Sequence, residues 1–396
     1  MGEVKVVVHR GTHQIGGCCT EIRTDKTRIL IDFGSNLPES DSSVLSIPGV
    51  TSFGKRCDGI FITHNHGDHI GELDHVHADI PVFMGKKMIL MQQEYRKHMK
   101  GHLEEQVHEN EIQEIFAERK IEIGNMTVTP ILSDHSAIQS FMFLIETEGK
   151  RILHTGDFRL HGPHRETLLD RLKMIGNLDL LITEGTTLSR DQSGRDMRWT
   201  EQMISEKCGE LINRYKYCFM LTSTGNIDRI QSFAKAIPAG KYFIADDYQK
   251  ELLQIAFDDN LGNVYGLKKI LTYGTNIKKK MERQGFGMLV RVGKTDADIV
   301  RDFANRYPTD TCFIYSMWSG YDTKGSNIDK FCKIAGRHVY TLHVSGHVTK
   351  EDLDEMIQSI EPKAVIFIHT ETGINDMRLK CRDKIVNISD KEAYTI

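Results

Sequence analysis

The sequence predicts an α/β protein in which two sheets pack together with helices outside, and a second α/β domain with a parallel sheet is inserted into the chain. Strand-like runs follow one another in the first half and only later alternate with helical patterns. After Glu184 the composition changes, and helix and strand then alternate at a spacing typical of a parallel sheet. We therefore predict a first domain over 1–194, an inserted domain over 195–341 and a return to the first domain over 342–396.

The elements follow from hydrophobic periodicity. Predicted strands of the first domain are Val4–Val8, Cys19–Arg23, Thr27–Ile31, Gly59–Thr63, Val82–Met84, Met126–Leu132, Phe141–Glu146, Arg151–His154, Leu178–Thr183 and Ala364–Ile368. Its predicted helices are Lys87–Lys97, Leu168–Ile175 and Lys350–Ile360, the last capped by Thr349 with Asp352. The inserted domain is predicted to alternate Thr200–Asn213, Cys218–Leu221, Ile227–Ile237, Tyr242–Ala245, Lys250–Phe257, Ala297–Arg306, Cys312–Tyr315, Ile328–Ile334 and Val339–Leu342. We expect a surface helix or an ordered loop over His102–Lys120.

Length and composition narrow the class of protein. A chain of 396 residues can form two domains, or one large domain with an insertion. No run approaches the roughly 18 apolar residues of a membrane span, and strand-like Val4–Val8 begins too early for a signal peptide, so we expect a cytoplasmic protein. The eight cysteines show no C-x-x-C spacing, which favours reduced thiols over a zinc ribbon or disulfides.

The charge of the chain is unevenly distributed. The net charge is −4, but residues 195–341 hold 23 Lys+Arg against 17 Asp+Glu, a balance of +6, so the remainder carries −10. Within 267–294 there are 8 basic residues and 1 acidic residue. The basic residues include Lys268, Lys269, Lys278, Lys279 and Lys280. A solvated face is one interpretation, and a path for a polyanion is the other.

Six consecutive residues, His64-Asn65-His66-Gly67-Asp68-His69, follow the apolar run Gly59–Thr63. Four of them are good metal ligands of the types that suit zinc at an open catalytic site. Side chains alternate along a strand, so His64 and His66 are expected on one side. Gly67 would allow a tight turn that aims Asp68 and His69 at a second position. A histidine-rich surface loop is the alternative, but such a loop has no reason to follow a buried strand so abruptly.

Three further segments continue this pattern in a fixed order. Asp32 ends the run Ile29–Ile31, His135 stands alone after Asp134, and Asp157 follows the strand that ends at His154. The His-x-His-x-Asp-His motif and this ordered series resemble the metallo-β-lactamase fold. The resemblance implies a four-layer αββα sandwich.

The second half of the chain resembles one branch of that fold, the β-CASP nucleases, and within it the ribonuclease J type. Glu184 after a buried strand, His347 in Ser-Gly-His and His369 at the end of Ala364–Ile368 match the extra motifs of that branch. A histidine at position 369 fits the RNA-cleaving members, whereas the DNA-repair branch typically has an apolar residue there. Two departures are visible. The segment after His135 lacks the usual proline, and ribonuclease J enzymes usually carry a further C-terminal domain beyond the last motif.

The resemblance assigns roles to individual residues. It implies two zinc ions per chain, with Mn²⁺ or Mg²⁺ as functional equivalents, and a hydroxide generated between ions roughly 3.5–4 Å apart. One ion would be held by His64, His66 and His135, the other by Asp68, His69 and His369, with Asp157 bridging them. The catalytic group would be Asp68, His347 as general acid and Glu184, which orients His347. Asp32 would support the histidine loop from behind the ligands, and His154 would be structural.

The remaining assignments concern the substrate. The resemblance implies that the inserted domain covers the metal face. Single-stranded RNA would then bind in a cleft between the domains. His343 and Ser345 would hold a substrate phosphate. Ser223 and Asn226 lie in a predicted strand–helix turn, where free N–H groups can bind phosphate. We thus predict a ribonuclease that acts in RNA processing or decay. We expect no association with a membrane, and the candidate assembly is a homodimer.

Three other functions remain open. A DNA nuclease of the same fold is the nearest. A small-molecule ester, lactone or thioester hydrolase would gain nothing from a long basic insertion. A non-catalytic RNA-binding or scaffold protein would be expected to have lost at least one ligand.

Overall fold

The computed structural model describes residues 2–37, 43–99, 110–162, 164–188, 199–257, 269–274, 277–371, 373 and 379–396. The chain divides into two compact units. The first unit comprises Met1–Gln192 and Gly346–Ile396, and the second comprises Ser193–Ser345.

The strands, in chain order, are β1 (Lys5–Arg10), β2 (Cys19–Arg23), β3 (Arg28–Ile31), β4 (Gly59–Phe61), β5 (Val82–Gly85), β6 (Ile112–Ile115), β7 (Ile121–Ile123), β8 (Met126–Leu132), β9 (Phe141–Thr147), β10 (Lys150–His154), β11 (Leu180–Glu184), β12 (Tyr217–Leu221), β13 (Tyr242–Ile244), β14 (Ile270–Leu271), β15 (Phe286–Val290), β16 (Thr311–Tyr315), β17 (Val339–Thr341), β18 (Ala364–Ile368) and β19 (Ala393–Thr395). The helices are α1 (Gly67–Ile70), α2 (Lys86–Met99), α3 (Arg165–Ile175), α4 (Glu201–Arg214), α5 (Ile227–Ala236), α6 (Asp247–Phe257), α7 (Lys278–Gln284), α8 (Lys294–Arg306), α9 (Asn327–Lys333) and α10 (Lys350–Ile360).

The first unit contains two sheets, with strand orders β19-β1-β2-β3-β4-β5-β6 and β18-β11-β10-β9-β8-β7. Alternate residues of the second sheet point to opposite sides. Ile152, Ile182 and Ile366 lie in the core shared with the first sheet. Their neighbours Leu153, Leu181 and Val365 pack with residues of α3 and α10 on the other side. The period of two along each strand therefore builds the sandwich that the sequence predicts.

The second unit is built on a parallel sheet of order β14-β13-β15-β12-β16-β17, and every pairing in it is parallel. The three central strands, β15, β12 and β16, are buried at all their positions. Strand β15 was not predicted, because Phe286–Val290 lies inside the basic stretch 267–294, where the surrounding charges outweigh its five apolar residues.

A buried arginine joins separate parts of the second unit. The Arg229 side chain on α5 is fully buried and forms an ion pair with Glu201 of α4 at 2.8 Å. Its guanidinium also donates to Ser316 Oγ at 2.6 Å and to the Leu342 carbonyl at 3.2 Å. These bonds hold the chain directly before His343, because a buried guanidinium needs all its donors satisfied.

Two other segments differ from the sequence-based expectation. Residues 102–109 of the predicted surface helix or loop lie outside the described part of the chain. Ile112–Ile115, within the same segment, is strand β6 and pairs with β5, so the helical alternative is wrong there. Strand β19 was missed because three residues carry too little pattern.

Over the described residues, no helix is both long and apolar enough to cross a membrane.

Candidate metal centre

The histidine loop is held between strand β4 and the short helix α1. Gly67 begins α1, so Asp68 and His69 lie in its first turn. The chain after β3 approaches this turn closely, and a Cβ at Gly34 would lie 1.7 Å from the Asp68 carbonyl oxygen. Only glycine fits at position 34, and this contact fixes the height of α1 above the sheet.

The first cluster consists of His64, His66 and His135, whose ligand atoms lie within 4.8 Å of one another. His64 Nε2 is 3.0 Å and His135 Nε2 is 3.3 Å from His66 Nδ1. His135 Nδ1 lies 2.7 Å from the Gly346 carbonyl and donates to it, which leaves the Nε2 lone pair directed at the cluster. Burial, together with neighbouring imidazoles, lowers the pKa of His64 and His135 well below the ordinary value. The rings are thus neutral and able to bind a cation.

The second cluster brings together Asp68, His69 and His369. His369 Nε2 is 3.1 Å from Asp68 Oδ2, and His69 Nε2 is 4.0 Å from the same oxygen. Asp157 lies between the two clusters, because its Oδ2 is 3.2 Å from His69 Nε2 and 3.8 Å from His64 Nε2. The seven predicted ligands are therefore brought together in two groups that share Asp157.

Two buried atoms test whether this set suits a metal. Within the part of the chain that the structure describes, His69 Nε2 and Asp157 Oδ1 have no hydrogen-bond partner, although both residues are at most 3% exposed. Buried polar atoms are rarely left without a partner unless a bound ion or water serves as one. His69 Nε2 and Asp157 Oδ2 approach to 3.2 Å, and a cation beside them would satisfy both groups. The residues fit a divalent metal centre.

The charges of the cluster agree with this interpretation. Burial alone would raise the pKa of Asp157, but His369 and His69 hold it well below the usual value. Burial would lower the pKa of His69, yet Asp157, Cys18 and Asp32 raise it well above the usual value. In the metal-free centre, imidazole therefore stays protonated beside ionised carboxylates, and a divalent cation can replace those protons.

Asp32 supports the loop from beneath. It accepts from His69 Nδ1 at 2.8 Å and from the Thr63 amide at 2.8 Å. The bond to Nδ1 leaves His69 Nε2 as the free ligand atom, which is the arrangement that a supporting carboxylate provides. Asp32 has φ +62° and His369 has φ +52°, a conformation uncommon outside glycine. Both residues follow the end of a strand, β3 and β18, and point into the centre, as strained residues at functional sites often do.

His347 and Glu184 lie beside the shared aspartate. His347 Nδ1 is 3.0 Å from Glu184 Oε2 and 3.6 Å from Asp157 Oδ2. The fully buried Glu184 is fixed by bonds from the Phe158 amide at 2.8 Å and from Thr186 Oγ1 at 2.6 Å. The ligand atoms of Asp157, Glu184, His347 and His369 also lie within 4.8 Å of one another, so a ligand role for His347 is geometrically available.

Sequence reasoning missed two residues of the centre, Thr186 and Cys18. Thr186 Oγ1 contacts His369 Nδ1 at 2.6 Å as well as Glu184. Cys18 groups with His69 and His369, and burial raises its pKa to about 12. Neither residue lies at a spacing that marks it in the sequence, although the Gly16-Gly17 pair before Cys18 indicates a close turn.

His154 is fully inside the unit, with its Nδ1 accepting from the Gly156 amide at 3.1 Å.

The remaining predicted residues belong to the second unit. Asn226 Oδ1 accepts from the Arg229 amide at 3.1 Å and so caps α5, and Ser223 Oγ accepts from the Gly225 amide at 3.3 Å. Both thus have a structural use in the strand–helix turn. His343 and Ser345 follow β17. Lys269, Lys278, Lys279 and Lys280 are exposed, whereas Lys268 lies outside the described residues.

Comparisons with known proteins agree with this architecture. Residues 27–215 match the Beta-lactamase superfamily domain, and residues 333–383 match the Zn-dependent metallo-hydrolase RNA specificity domain. Ribonuclease J of Helicobacter pylori strain J99 is 23% identical over 404 residues, covering 93% of this chain and 56% of the relative. Ribonuclease J2 of Bacillus subtilis strain 168 is 23% identical over 395 residues, covering 93% of this chain and 69% of the relative.

A solved structure has the same fold over its whole length. The crystal structure of a protein of unknown function from Enterococcus faecalis V583 superimposes with a TM-score of 0.77 at 20% identity, covering 100% of both chains. The chain spans a little over half the length of the Helicobacter pylori enzymes. With two sheets packed together and a match to the Beta-lactamase superfamily domain over residues 27–215, this chain has a metallo-β-lactamase fold, and it is similar to ribonuclease J proteins over most of its length.

Proposed function

We propose that this protein is a zinc-dependent ribonuclease that hydrolyses RNA phosphodiester bonds. The observation that carries the proposal is the position of Asp157 between two ligand clusters, 3.2 Å from His69 Nε2 and 3.8 Å from His64 Nε2. One cluster has three imidazoles and the other has imidazoles with a carboxylate. Two such groups sharing one carboxylate match the requirements of a two-ion centre.

The roles of the chain's own residues follow from their contacts. His64, His66 and His135 would hold one Zn²⁺, and Asp68, His69 and His369 the other. Bound divalent ions would supply an activated water and neutralise charge on the phosphate. His347 is 17% exposed at its side chain, so it can reach a substrate and donate a proton to the leaving sugar oxygen. Glu184 keeps the His347 ring in place through the 3.0 Å contact of its Oε2 with His347 Nδ1.

RNA is proposed as the substrate on two grounds. The segment that matches an RNA-specificity domain, 333–383, contains His343, Ser345, His347 and His369. The relatives aligned with 93% of this chain are named ribonucleases. Mn²⁺ or Mg²⁺ in place of Zn²⁺ and exonuclease or endonuclease cleavage are parts of the proposal that the same experiments address. A homodimer is a separate part of the proposal.

The test uses a single-stranded RNA labelled at its 5′ end, the same RNA labelled at its 3′ end, and a DNA of matched sequence. Each is incubated with the protein as purified, with the chelated protein, and with chelated protein after return of Zn²⁺, Mn²⁺ or Mg²⁺. We expect metal-dependent cleavage of RNA, with the two labels reporting the polarity. Faster cleavage of DNA than of RNA would show a DNA nuclease instead. A chelated protein that cleaves RNA at the original rate would exclude the metal mechanism.

A further inference from the structure

A cysteine that the ligand assignment does not use lies against the second cluster. Cys18, directly before β2, is 2% exposed, and its Sγ lies within 4.8 Å of ligand atoms of both His69 and His369. Ligand atoms around a tetrahedral zinc are roughly 3.3–3.8 Å apart, given Zn–S and Zn–N distances of about 2.3 and 2.1 Å. The limit of 4.8 Å leaves only small side-chain shifts to bring the three atoms around one ion.

The backbone around Cys18 is fixed by independent contacts. Its amide donates to the Asp68 carbonyl at 2.9 Å, and its carbonyl accepts from the Gly34 amide at 3.0 Å. The preceding carbonyl, of Gly17, accepts from the buried Arg10 Nε at 2.8 Å, and Arg10 forms an ion pair with Glu72 at 2.9 Å. The thiol is thus held in register with Asp68, a predicted ligand.

A second observation points to a ligand at the same place. His69 belongs to the same group of ligand atoms as Cys18, and among the described residues its Nε2 has no hydrogen-bond partner although His69 is 1% exposed. Asp157 Oδ1 is also buried and lacks a partner among the residues that the structure describes, and it belongs to the carboxylate 3.2 Å from that nitrogen. A buried thiol grouped with two imidazoles, one of which has a carboxylate beside its unpartnered nitrogen, forms a donor set that a cation would complete.

We propose that Cys18 is a thiolate ligand of the metal ion held by Asp68, His69 and His369. This inference rests on the metal centre of the proposed function. On metal binding the S–H bond breaks, its proton leaves to solvent, and the sulfur electron pair forms the bond to the ion. A thiolate is a soft donor, so Cys18 makes this position selective for Zn²⁺ over Mg²⁺ and Mn²⁺.

The experiment replaces the bound metal by Co²⁺ in the full-length protein and records its absorption spectrum and metal content. Cys18→Ser is the test variant, and Cys19→Ala is the matched control, because Cys19 is the next residue but packs in the hydrophobic core. We expect two Co²⁺ per chain and a thiolate-to-cobalt charge-transfer band in the near ultraviolet for wild type and Cys19→Ala. The band should be absent in Cys18→Ser. Competition with a chromogenic chelator should show that Cys18→Ser weakens one of two Zn²⁺ sites by about tenfold or more.

The outcomes separate the two proposals. Two bound Co²⁺ ions without a charge-transfer band in wild type would overturn the role of Cys18 and leave the metal centre intact, whatever the variant does. A band that persists in folded Cys18→Ser would overturn it as well. A protein that binds no Co²⁺ or Zn²⁺ at all would overturn both the ligand role and the proposed metal-dependent function.

Discussion

His347 Nδ1 lies 3.0 Å from Glu184 Oε2, and the glutamate is completely buried while the histidine side chain is 17% exposed. The buried partner therefore fixes the ring, and the exposed edge of the ring remains able to meet a substrate. The same nitrogen is 3.6 Å from Asp157, the residue shared by the two ligand clusters. This placement beside the candidate metal centre suits the proton donor that the proposed hydrolysis of a phosphodiester requires.

We expect His347→Ala to slow RNA cleavage by roughly 10²–10⁴-fold, the usual contribution of a general acid, with metal content unchanged. The measurement is single-turnover cleavage combined with elemental analysis. His66→Ala is the matched comparison, and it should lose metal and activity together, since His66 contacts both His64 and His135. If His347→Ala loses an ion, then His347 is a ligand, as its grouping with Asp157 and His369 permits.

Protein purified without added metal is expected to contain close to two zinc ions per chain, because the donors exceed what one tetrahedral ion can use. Asp157→Asn should lower that content more than Asp68→Asn does, since Asp157 faces both clusters. Elemental analysis of the three proteins checks this. A content near one that added metal cannot raise would remove Asp68 or His369 from the ligand set.

Neutralising the exposed lysines Lys278, Lys279 and Lys280 to Gln should weaken RNA binding at low salt. Each lost phosphate contact should reduce the salt slope by roughly 0.7 for a single strand. Lys278 Nζ lies 5.3 Å from the centre of the Tyr273 ring, so the start of α7 presents an aromatic face beside its charges. Binding is measured as a function of salt concentration.

The control for the lysine variant is a second triple variant, Lys26, Lys55 and Lys173 to Gln, which removes the same charge from exposed positions of the first unit. Hydrolysis of a small chromogenic phosphodiester should barely change in either. An unchanged salt slope in the α7 variant, or an equal change in both, would make the cluster a solvated face.

The metal-free protein should lose stability as the pH falls from about 6.5 towards 4, in part through His154. Burial lowers the pKa of His154 to about 4, whereas the unfolded value is 6.5. In this window the unfolded state binds the extra proton, so stability rises with pH. The contribution amounts to about 2 kcal/mol between pH 6.5 and 5.

His154→Gln removes this titration. We expect urea unfolding of the chelated variant to show lower stability at pH 7 but a smaller decrease between pH 6.5 and 5 than wild type. Equal pH slopes in the two proteins would mean that His154 is already solvated or charged in the folded state.

Arg229→Ala should destabilise the second unit by about 3–5 kcal/mol, because it leaves the mostly buried Glu201 without its partner. Chemical unfolding measures this. The matched control is Arg301→Ala, which breaks an exposed ion pair with Asp298 and should change little. A small effect of Arg229→Ala would show that water replaces the guanidinium in the folded state.

The order of ligands along the chain determined much of the centre. A recognisable strand or turn precedes each of five predicted ligands, His64, His66, His69, His135 and Asp157. The ends of neighbouring strands meet at one edge of a sheet. Local pattern therefore sufficed for the strands that carry the centre, including β2, β8 and β18, whose bounds agree with the prediction. Apolar periodicity is a property of nearby residues, which is why it is readable without the fold.

Tertiary structure alone decided the rest. Strand β15 is apolar over only five residues among lysines and arginines, so burial between β13 and β12, and not pattern, makes it central. Thr186 and Cys18 lie beside the candidate ligands although their local sequence favours no ligand role, because the packing of the sheets decides where strands β11 and β2 place them. The αL backbone of Asp32 and His369 is likewise imposed by the surrounding structure, since neither residue adopts it readily by itself.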